Sequence, residues 1–378
     1  MNFSQLGLSD DITSAIDRSQ YESPYPIQLE TIPAILKGKD ILGIAPTGSG
    51  KTAAYILPIL QLYAKKDPPK GRDIPVLILV PTRELAIQVE EVAKNFSNYL
   101  KKKTKTAAVY GGVSINPQMK GLKGTEILVA TPGRLLDLID NNALSLAHVK
   151  ILVLDEADKV LAMGFREEID QILSQLPKKK RQNILFSATS EEAIAPLVNE
   201  LMNNPVRITI SADEPTPDLI AQTAYFVRNE KKGPLLRYLI KKGEWTQVLI
   251  FASSIRTANN IVGKLNKNGI PAVAFHGDKS QGARTEAING FKSGKIQVLV
   301  ATDLAARGID IKFLPIVINY ELPRSPKDYI HRIGRTGRAG SAGKAFSLIS
   351  EEEQQHWRVI QKKMGRWVNR IDAENLDF

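Results

Sequence analysis

Short apolar runs, unbroken and rich in strand-forming residues, recur along this chain with helical patterns between them. Residues 41–44, 76–80, 107–110, 127–130, 151–154, 184–186 and 206–210 form one series, and 247–251, 272–276, 298–301 and 316–319 a second. A sheet with one wet face would alternate apolar and polar side chains, and these runs do not. They are expected to be strands of parallel sheets with helices on both faces, an α/β fold. Ser211-Ala-Asp-Glu-Pro-Thr-Pro-Asp218, with two prolines and three acids in eight residues, separates the series and reads as a linker. The expected architecture is two doubly wound domains, 1–210 and 219–378, joined by 211–218. A length of 378 residues agrees with that division, since domains usually hold about 100–200 residues.

Composition closes off several classes. There is no cysteine, which excludes disulfides, thiolate zinc sites and thiol catalysis and fits a cytoplasmic protein. The four histidines lie far apart with no HExxH spacing, so no histidine metal site is expected. No apolar stretch approaches the ~18–20 residues of a membrane helix, and the N-terminus lacks the basic start and long apolar core of a secretion signal. The net charge of +11 is unevenly spread: 25 basic and 23 acidic residues over 1–208 give +2, and 26 against 17 over 209–378 give +9. A basic second half points to a polyanion, most simply nucleic acid.

Ala45-Pro46-Thr47-Gly48-Ser49-Gly50-Lys51-Thr52 follows the run at 41–44 and precedes a helical pattern over 53–62. Strand, glycine-rich turn and helix in that order make a phosphate-binding loop. Its glycines let successive backbone N–H groups turn inward onto phosphate oxygens at a helix N-terminus. Lys51 would pair with the β- and γ-phosphates and the Thr52 hydroxyl would reach Mg²⁺. The loop's first position, usually glycine, is Ala45. Asp155-Glu-Ala-Asp158 sits at the end of the run at 151–154. Asp155 is expected to hold Mg²⁺ there, and Glu156 to orient and deprotonate the attacking water. Together the two motifs indicate nucleotide hydrolysis.

With these residues in place the chain resembles the DEAD-box RNA helicases. Tyr21-Glu-Ser-Pro-Tyr-Pro-Ile-Gln28 is similar to that family's adenine-reading segment, with Tyr25 where threonine is usual. Pro81-Thr82-Arg83, Gly111-Gly112 and Thr131-Pro-Gly133-Arg134 are similar to its first-domain RNA segments, and Ser187-Ala-Thr189 to its coupling motif. In the second half Gln281-Gly-Ala-Arg284, the stretch from Thr302 through Arg307 to Asp310, and His331-Arg-Ile-Gly-Arg335-Thr-Gly-Arg338 continue the match. The segment 276–285 further resembles the bacterial RhlE-type subgroup. The resemblance implies two tandem RecA-like domains, ATP and Mg²⁺ as ligands, and RNA held through its backbone. It also implies that Asp310 contacts ribose, that Gln281, Arg284, Thr302 and Arg307 contact RNA or phosphates, and that Asp158, Ser187, Thr189 and His331 couple the sites.

The residues have their own chemistry beside that resemblance. The Gln28 amide can donate to and accept from adenine, and Tyr21 offers a stacking face, although a capped turn would use the same pair. Pro81, Thr82, Arg83, Gly112, Thr131, Gly133 and Arg134 combine small residues, hydroxyls and guanidinium groups in loops after strands, which suits a sugar-phosphate backbone; the prolines could equally end strands with nothing bound. Arg335 and Arg338 are expected to reach the γ-phosphate as arginine fingers, with RNA-backbone contact the competing reading. His331 is expected at a helix start. The lysine runs at 101–105 and 178–181 read as solvated loops, and Trp245, Trp357 and Trp367 as packing residues. The expected function is a monomeric, ATP-dependent RNA helicase; the alternative is an ATP-gated RNA clamp or chaperone with little processive unwinding.

Overall fold

The computed structural model describes residues 2–376 apart from 20, 47, 65, 179–180, 211–219, 307–313 and 337–342. The expected linker at 211–218 and the site residues Thr47, Arg307, Asp310 and Arg338 lie outside the described residues. The chain divides into two compact units, Met1–Ala212 and Asp213–Phe378.

The first unit runs α1 (Asp10–Arg18), α2 (Pro26–Leu36), β1 (Ile41–Ile44), α3 (Lys51–Tyr63), β2 (Val76–Leu79), α4 (Arg83–Asn98), β3 (Thr106–Val109) and α5 (Ile115–Gly121). It continues with β4 (Ile127–Ala130), α6 (Pro132–Asp140), β5 (Ile151–Leu154), α7 (Ala157–Ala162), α8 (Arg166–Ser174), β6 (Gln182–Ser187), α9 (Glu191–Leu201) and β7 (Val206–Thr209). Its seven strands are all parallel, in the order β3-β4-β2-β5-β6-β1-β7. The unbroken apolar runs have the cause expected of them. Ile41, Val76, Ile78, Ile127, Val129, Val153 and Ile184 enter one core with α1–α4. Their chain neighbours Leu42, Leu77, Leu79, Leu128, Leu152 and Leu185 enter the opposite core with α6–α9. Successive strand residues point to opposite faces, and both faces are dry.

The second unit runs β8 (Ile220–Phe226), α10 (Asn229–Lys242), β9 (Val248–Ala252), α11 (Ile255–Lys267), β10 (Ala272–Phe275), α12 (Gln281–Lys292) and β11 (Val298–Thr302). Then come α13 (Asp303–Ala306), β12 (Ile316–Asn319), α14 (Pro326–Ile333), β13 (Gly343–Ile349), α15 (Gln354–Met364) and β14 (Asn369–Asp372). Its sheet is also parallel, ordered β10-β11-β9-β12-β13-β8-β14.

Three strands, β8, β13 and β14, carry no apolar run among those expected. They are neighbours at one side of the second sheet. β8 alternates buried and open positions, β13 contains Lys344 and Ser347, and β14 is a largely exposed edge. An unbroken-run criterion passes over β8 and β14 because their polarity is set by the sheet's margin, and over the buried β13 because Lys344 and Ser347 interrupt its apolar residues. Two further expectations are corrected. His331 lies in the last turn of α14, not at a helix start, because Ser325 caps that helix six residues earlier through its Oγ and the Asp328 N–H. Trp367 is 78% exposed and is not a packing residue, while Trp357 is buried and Trp245 stacks on Phe346.

Candidate functional site

Every strand of a parallel sheet ends at the same edge, so the loops that follow the strands meet there. In the first unit that edge divides into two contiguous blocks. The segments after β1, β5 and β6 are the phosphate loop, Asp155–Asp158 and Ser187–Thr189, and the order β5-β6-β1 makes them neighbours. The segments after β2, β3 and β4 hold Pro81–Arg83, Gly112 and Thr131–Arg134, and the order β3-β4-β2 gathers these as well. The sequence separates β1 from β5 by about a hundred residues; strand order brings them together.

In the first block Gly48 and Gly50 adopt φ +89 and +86, left-handed backbone that a side chain resists. Lys51 opens α3, is buried, and donates from Nζ to the Ala45 and Pro46 carbonyls at 2.7 and 3.1 Å. The buried Ser49 Oγ finds no partner among the described residues. One turn along α3, Tyr55 donates from its hydroxyl to Asp155 Oδ2 at 2.8 Å. Asp155 Oδ1 accepts from the Glu156 N–H at 2.9 Å. Burial pushes the Asp155 carboxyl up, opposed by the Lys51 ammonium beside it. Burial likewise lowers Lys51, opposed by Asp155 and Glu156. Burial and the Asp155 charge hold the Tyr55 phenol up, so it remains a donor.

Glu156 turns the chain from β5 into α7 at φ +53, ψ +47, a conformation costing a non-glycine residue about 1–2 kcal/mol. Its Oε1 accepts from Lys159 Nζ at 2.6 Å, and its buried Oε2 has no partner among the described residues. Asp158 Oδ1 accepts from the Ala188 N–H at 3.3 Å, tying the segment after β5 to the segment after β6, and within the latter Ser187 Oγ accepts from the Thr189 N–H at 3.0 Å. Gln28 is fully buried: Oε1 accepts from the Tyr25 N–H at 2.9 Å and Nε2 donates to the Gly50 carbonyl at 3.0 Å. The amide straps α2 to the phosphate loop, keeping one lone pair and one N–H in hand. Tyr21 packs against Phe96 with ring centroids 5.3 Å apart, and Tyr25 is exposed with its ring edge against Gly50.

The second block is equally built. Thr82 caps α4, its Oγ1 accepting from the Leu85 N–H at 3.2 Å. The Arg83 guanidinium lies over Gly112, where a Cβ would stand 1.9 Å from Nη1. Thr131 caps α6 with Pro132 in its first turn, and Gly133 is open to solvent. Arg134 is buried, donating to the Val113 carbonyl at 2.9 Å and Asp137 Oδ2 at 3.2 Å, with Nη1 unbonded among the described residues. Clustered guanidinium groups with open backbone nearby make a surface for a polyanion.

In the second unit Gln281 and Arg284 are both buried in the first turn of α12, with the Arg284 guanidinium 4.6 Å from the Phe275 ring centre. Thr302 ends β11 and Arg335 follows α14. Sequence reasoning missed four positions: Tyr55 and Lys159, signalled only by helical spacing from Lys51 and Glu156, and Arg332 with Asp303, which Arg332 clamps bidentately at 2.6 and 2.7 Å. It named Gln28, but not the tie to Gly50 across 22 residues.

Among the described residues no three His, Cys, Asp or Glu side chains gather to cage a metal. Asp155 and Thr52 offer carboxylate and hydroxyl oxygens beside the phosphate loop, a donor set that suits Mg²⁺ carried in on nucleotide phosphates. Such an edge defines a nucleotide-binding α/β protein with a polyanion surface on the same sheet.

Family models for the DEAD/DEAH box helicases and for the helicase conserved C-terminal domain match residues 25–197 and 230–340. An ATP-dependent RNA helicase DeaD of Buchnera aphidicola is 40% identical over 379 residues, covering 100% of this chain and 62% of that relative. A DEAD-box ATP-dependent RNA helicase CshA of Streptococcus pneumoniae is 41% identical, covering 96% of this chain and 68% of its own. Among solved structures, Saccharomyces cerevisiae Dbp5 bound to RNA and ADP BeF3 is 30% identical with a TM-score of 0.84, covering 99% of this chain and 96% of that one. A DEAD box protein from Methanococcus jannaschii is 39% identical with a TM-score of 0.54, covering 98% and 99%. The chain belongs to the DEAD-box family of ATP-dependent RNA helicases, and it spans about three-fifths of the Buchnera relative's length.

Proposed function

We propose that this protein is an RNA-stimulated ATPase that couples ATP hydrolysis to local unwinding of RNA duplexes. The observation that carries the reading is the divided carboxyl edge of the first sheet, where a nucleotide block and a polyanion block adjoin at β5 and β2. In this reading the loop N–H groups and Lys51 hold the phosphates, and Gln28 and Tyr21 select adenine. Asp155 and Thr52 would hold Mg²⁺ carried in with the nucleotide, which would supply positive charge to the phosphates. Glu156 takes a proton from the attacking water, whose oxygen bonds to the γ-phosphorus as the bond to the leaving ADP oxygen breaks. Arg335 and Arg338 add positive charge to the γ-phosphate, and Asp310 holds ribose. Asp158, Ser187, Thr189 and His331 link hydrolysis to RNA held by Pro81, Thr82, Arg83, Gly112, Thr131, Gly133, Arg134, Gln281, Arg284, Thr302 and Arg307.

We further take the protein to act as a cytoplasmic monomer; no described helix is long and apolar enough to cross a membrane. The test measures ATPase rate against RNA concentration and separation of a short RNA duplex. The expected result is RNA-dependent turnover with strand separation. A maximal rate about 10³-fold lower in Arg335→Ala and Arg338→Ala supports fingers; recovery at saturating RNA assigns them to RNA instead. Glu156→Gln should retain ATP and RNA while turnover stalls. ATP-dependent retention on single strands without duplex separation would make the protein a clamp.

A further inference from the structure

Among the described residues the second unit has one large aromatic side chain standing in water. Trp367 is 78% exposed, more than any other large apolar residue described. An indole there leaves apolar surface hydrated that burial would favour, and its posture is enforced by its neighbours. Gly365 ends α15 at φ +66 and turns the chain back, its N–H reaching the Lys362 carbonyl at 3.3 Å. The Val368 N–H is fixed by Gln361 Oε1 at 2.9 Å, and the Val368 side chain packs into the core beside Trp357. With Val368 turned inward and β14 beginning at Asn369, Trp367 is turned outward on a pinned backbone.

The surroundings are cationic. Between Gln354 and Ile371 there are five basic residues, Arg358, Lys362, Lys363, Arg366 and Arg370, and no acidic one. Arg358, Lys362 and Lys363 are exposed and form no ion pair among the described residues, and the Arg370 guanidinium lies 4.0 Å from the Phe226 ring centre. Within the second unit this lies away from the described residues assigned to RNA above. Gln281, Arg284 and Thr302 follow β10 or end β11 at one side of the sheet, and Trp367 leads into β14 at the other. Six inter-strand spacings put those margins roughly 30 Å apart.

We propose that Trp367, with the exposed Arg358, Lys362 and Lys363 of the adjoining α15, is an auxiliary platform for single-stranded RNA: a base stacks on the indole and the cations hold the flanking phosphates. A flat aromatic face with positive charge around it recognises bases without regard to sequence, and a protein partner for so cationic a patch would need an acidic counterpart instead. The platform rests on the RNA reading of the whole chain, and its test separates the two.

The full chain is titrated, without nucleotide, with a single-stranded RNA oligonucleotide while tryptophan emission is followed. Trp357 is buried and Trp245 stacked, so Trp367 dominates the solvent-sensitive signal, and Trp367→Phe supplies the blank. RNA should quench the emission. Trp367→Ala should weaken binding about fivefold or more, while Trp367→Phe, which keeps a stacking face, should stay within about twofold. Replacing Lys362 and Lys363 with alanine should make the salt slope shallower by about 1.4, at 0.7 per phosphate contact. RNA that stimulates the ATPase but leaves the Trp367 signal and the variants' affinities unchanged overturns the platform and spares the helicase reading. RNA that neither binds nor stimulates turnover removes both.

Discussion

Glu156 is held in three ways at once: a left-handed backbone, an N–H given to Asp155, and an ion pair with Lys159 three residues on. Both partners of that pair are nearly sealed from water, with side-chain exposures of 13% and 7%. Removing one partner of a buried pair leaves a charge without compensation. Lys159→Met should therefore lower unfolding free energy in urea by about 3 kcal/mol, and Lys159→Arg by clearly less. Equal stability of Lys159→Met and wild type would show that the pair is solvated. The neighbouring Asp155 and Lys51 set a pH window. Burial raises the Asp155 carboxyl, so the folded chain takes up a proton at higher pH than the unfolded one, and this contribution to stability falls as pH climbs through that interval. Burial lowers Lys51, so its contribution rises as pH climbs from the folded value toward 10.5. If ADP with Mg²⁺ needs Asp155 ionised and Lys51 charged, its affinity should peak near neutrality and fall on both sides sooner than free side chains would. Asp155→Asn should remove the acid limb. Titrating ADP affinity from acid to alkaline pH checks this, and a flat profile counts against the assignment.

At the scale of elements, glycines mark where two pieces of backbone or side chain must approach. Gly43 on β1 lies across from Phe186 on β6, and a Cβ there would stand 2.3 Å from the Phe186 ring. Gly43→Ala should destabilise the first unit by about 1–3 kcal/mol through overpacking, with nucleotide affinity preserved in whatever fraction folds. Gly112→Ala combines φ +77 with a collision against the Arg83 guanidinium, so it should impair RNA-stimulated turnover and leave ADP affinity near wild type. Much of this was legible beforehand. The strands at 41–44, 127–130, 151–154 and 316–319 were read to the residue, because buried parallel strands write continuous apolar runs. The phosphate loop and Asp155–Asp158 were legible because their chemistry admits few residue types. What escaped depends on three-dimensional neighbours: Tyr55 serves Asp155 from 100 residues away, and β8 and β14 owe their polarity to a sheet margin. Trp367 escaped for the opposite reason, since its type suggests burial and only Val368's inward turn reverses it.

The whole molecule has separate cores in each compact unit, and all three tryptophans belong to the second. Emission therefore reports the unfolding of residues 213–378 alone, whereas calorimetry reports both units. If nucleotide binds the first unit as proposed, ADP at a hundred times its Kd should add about 2.7 kcal/mol to that unit's stability. Its calorimetric transition should move up by several degrees while the fluorescence-detected melt stays in place. Movement of both together would show that the units unfold as one cooperative body.

The Lys51 ammonium already has two ligands, the carbonyls of Ala45 and Pro46. If Lys51 takes the nucleotide's phosphates as proposed, capture is an exchange and not an addition. The incoming phosphate must outbid two oxygens of the protein's own loop, and those carbonyls must find water when it succeeds. Departure of the product is eased by the same amount, because the lysine is received back by its loop instead of being left a bare buried charge. A chain that must bind and discard nucleotide repeatedly gains from such a resident substitute: moderate grip, quick release, and a loop that keeps its shape between turnovers.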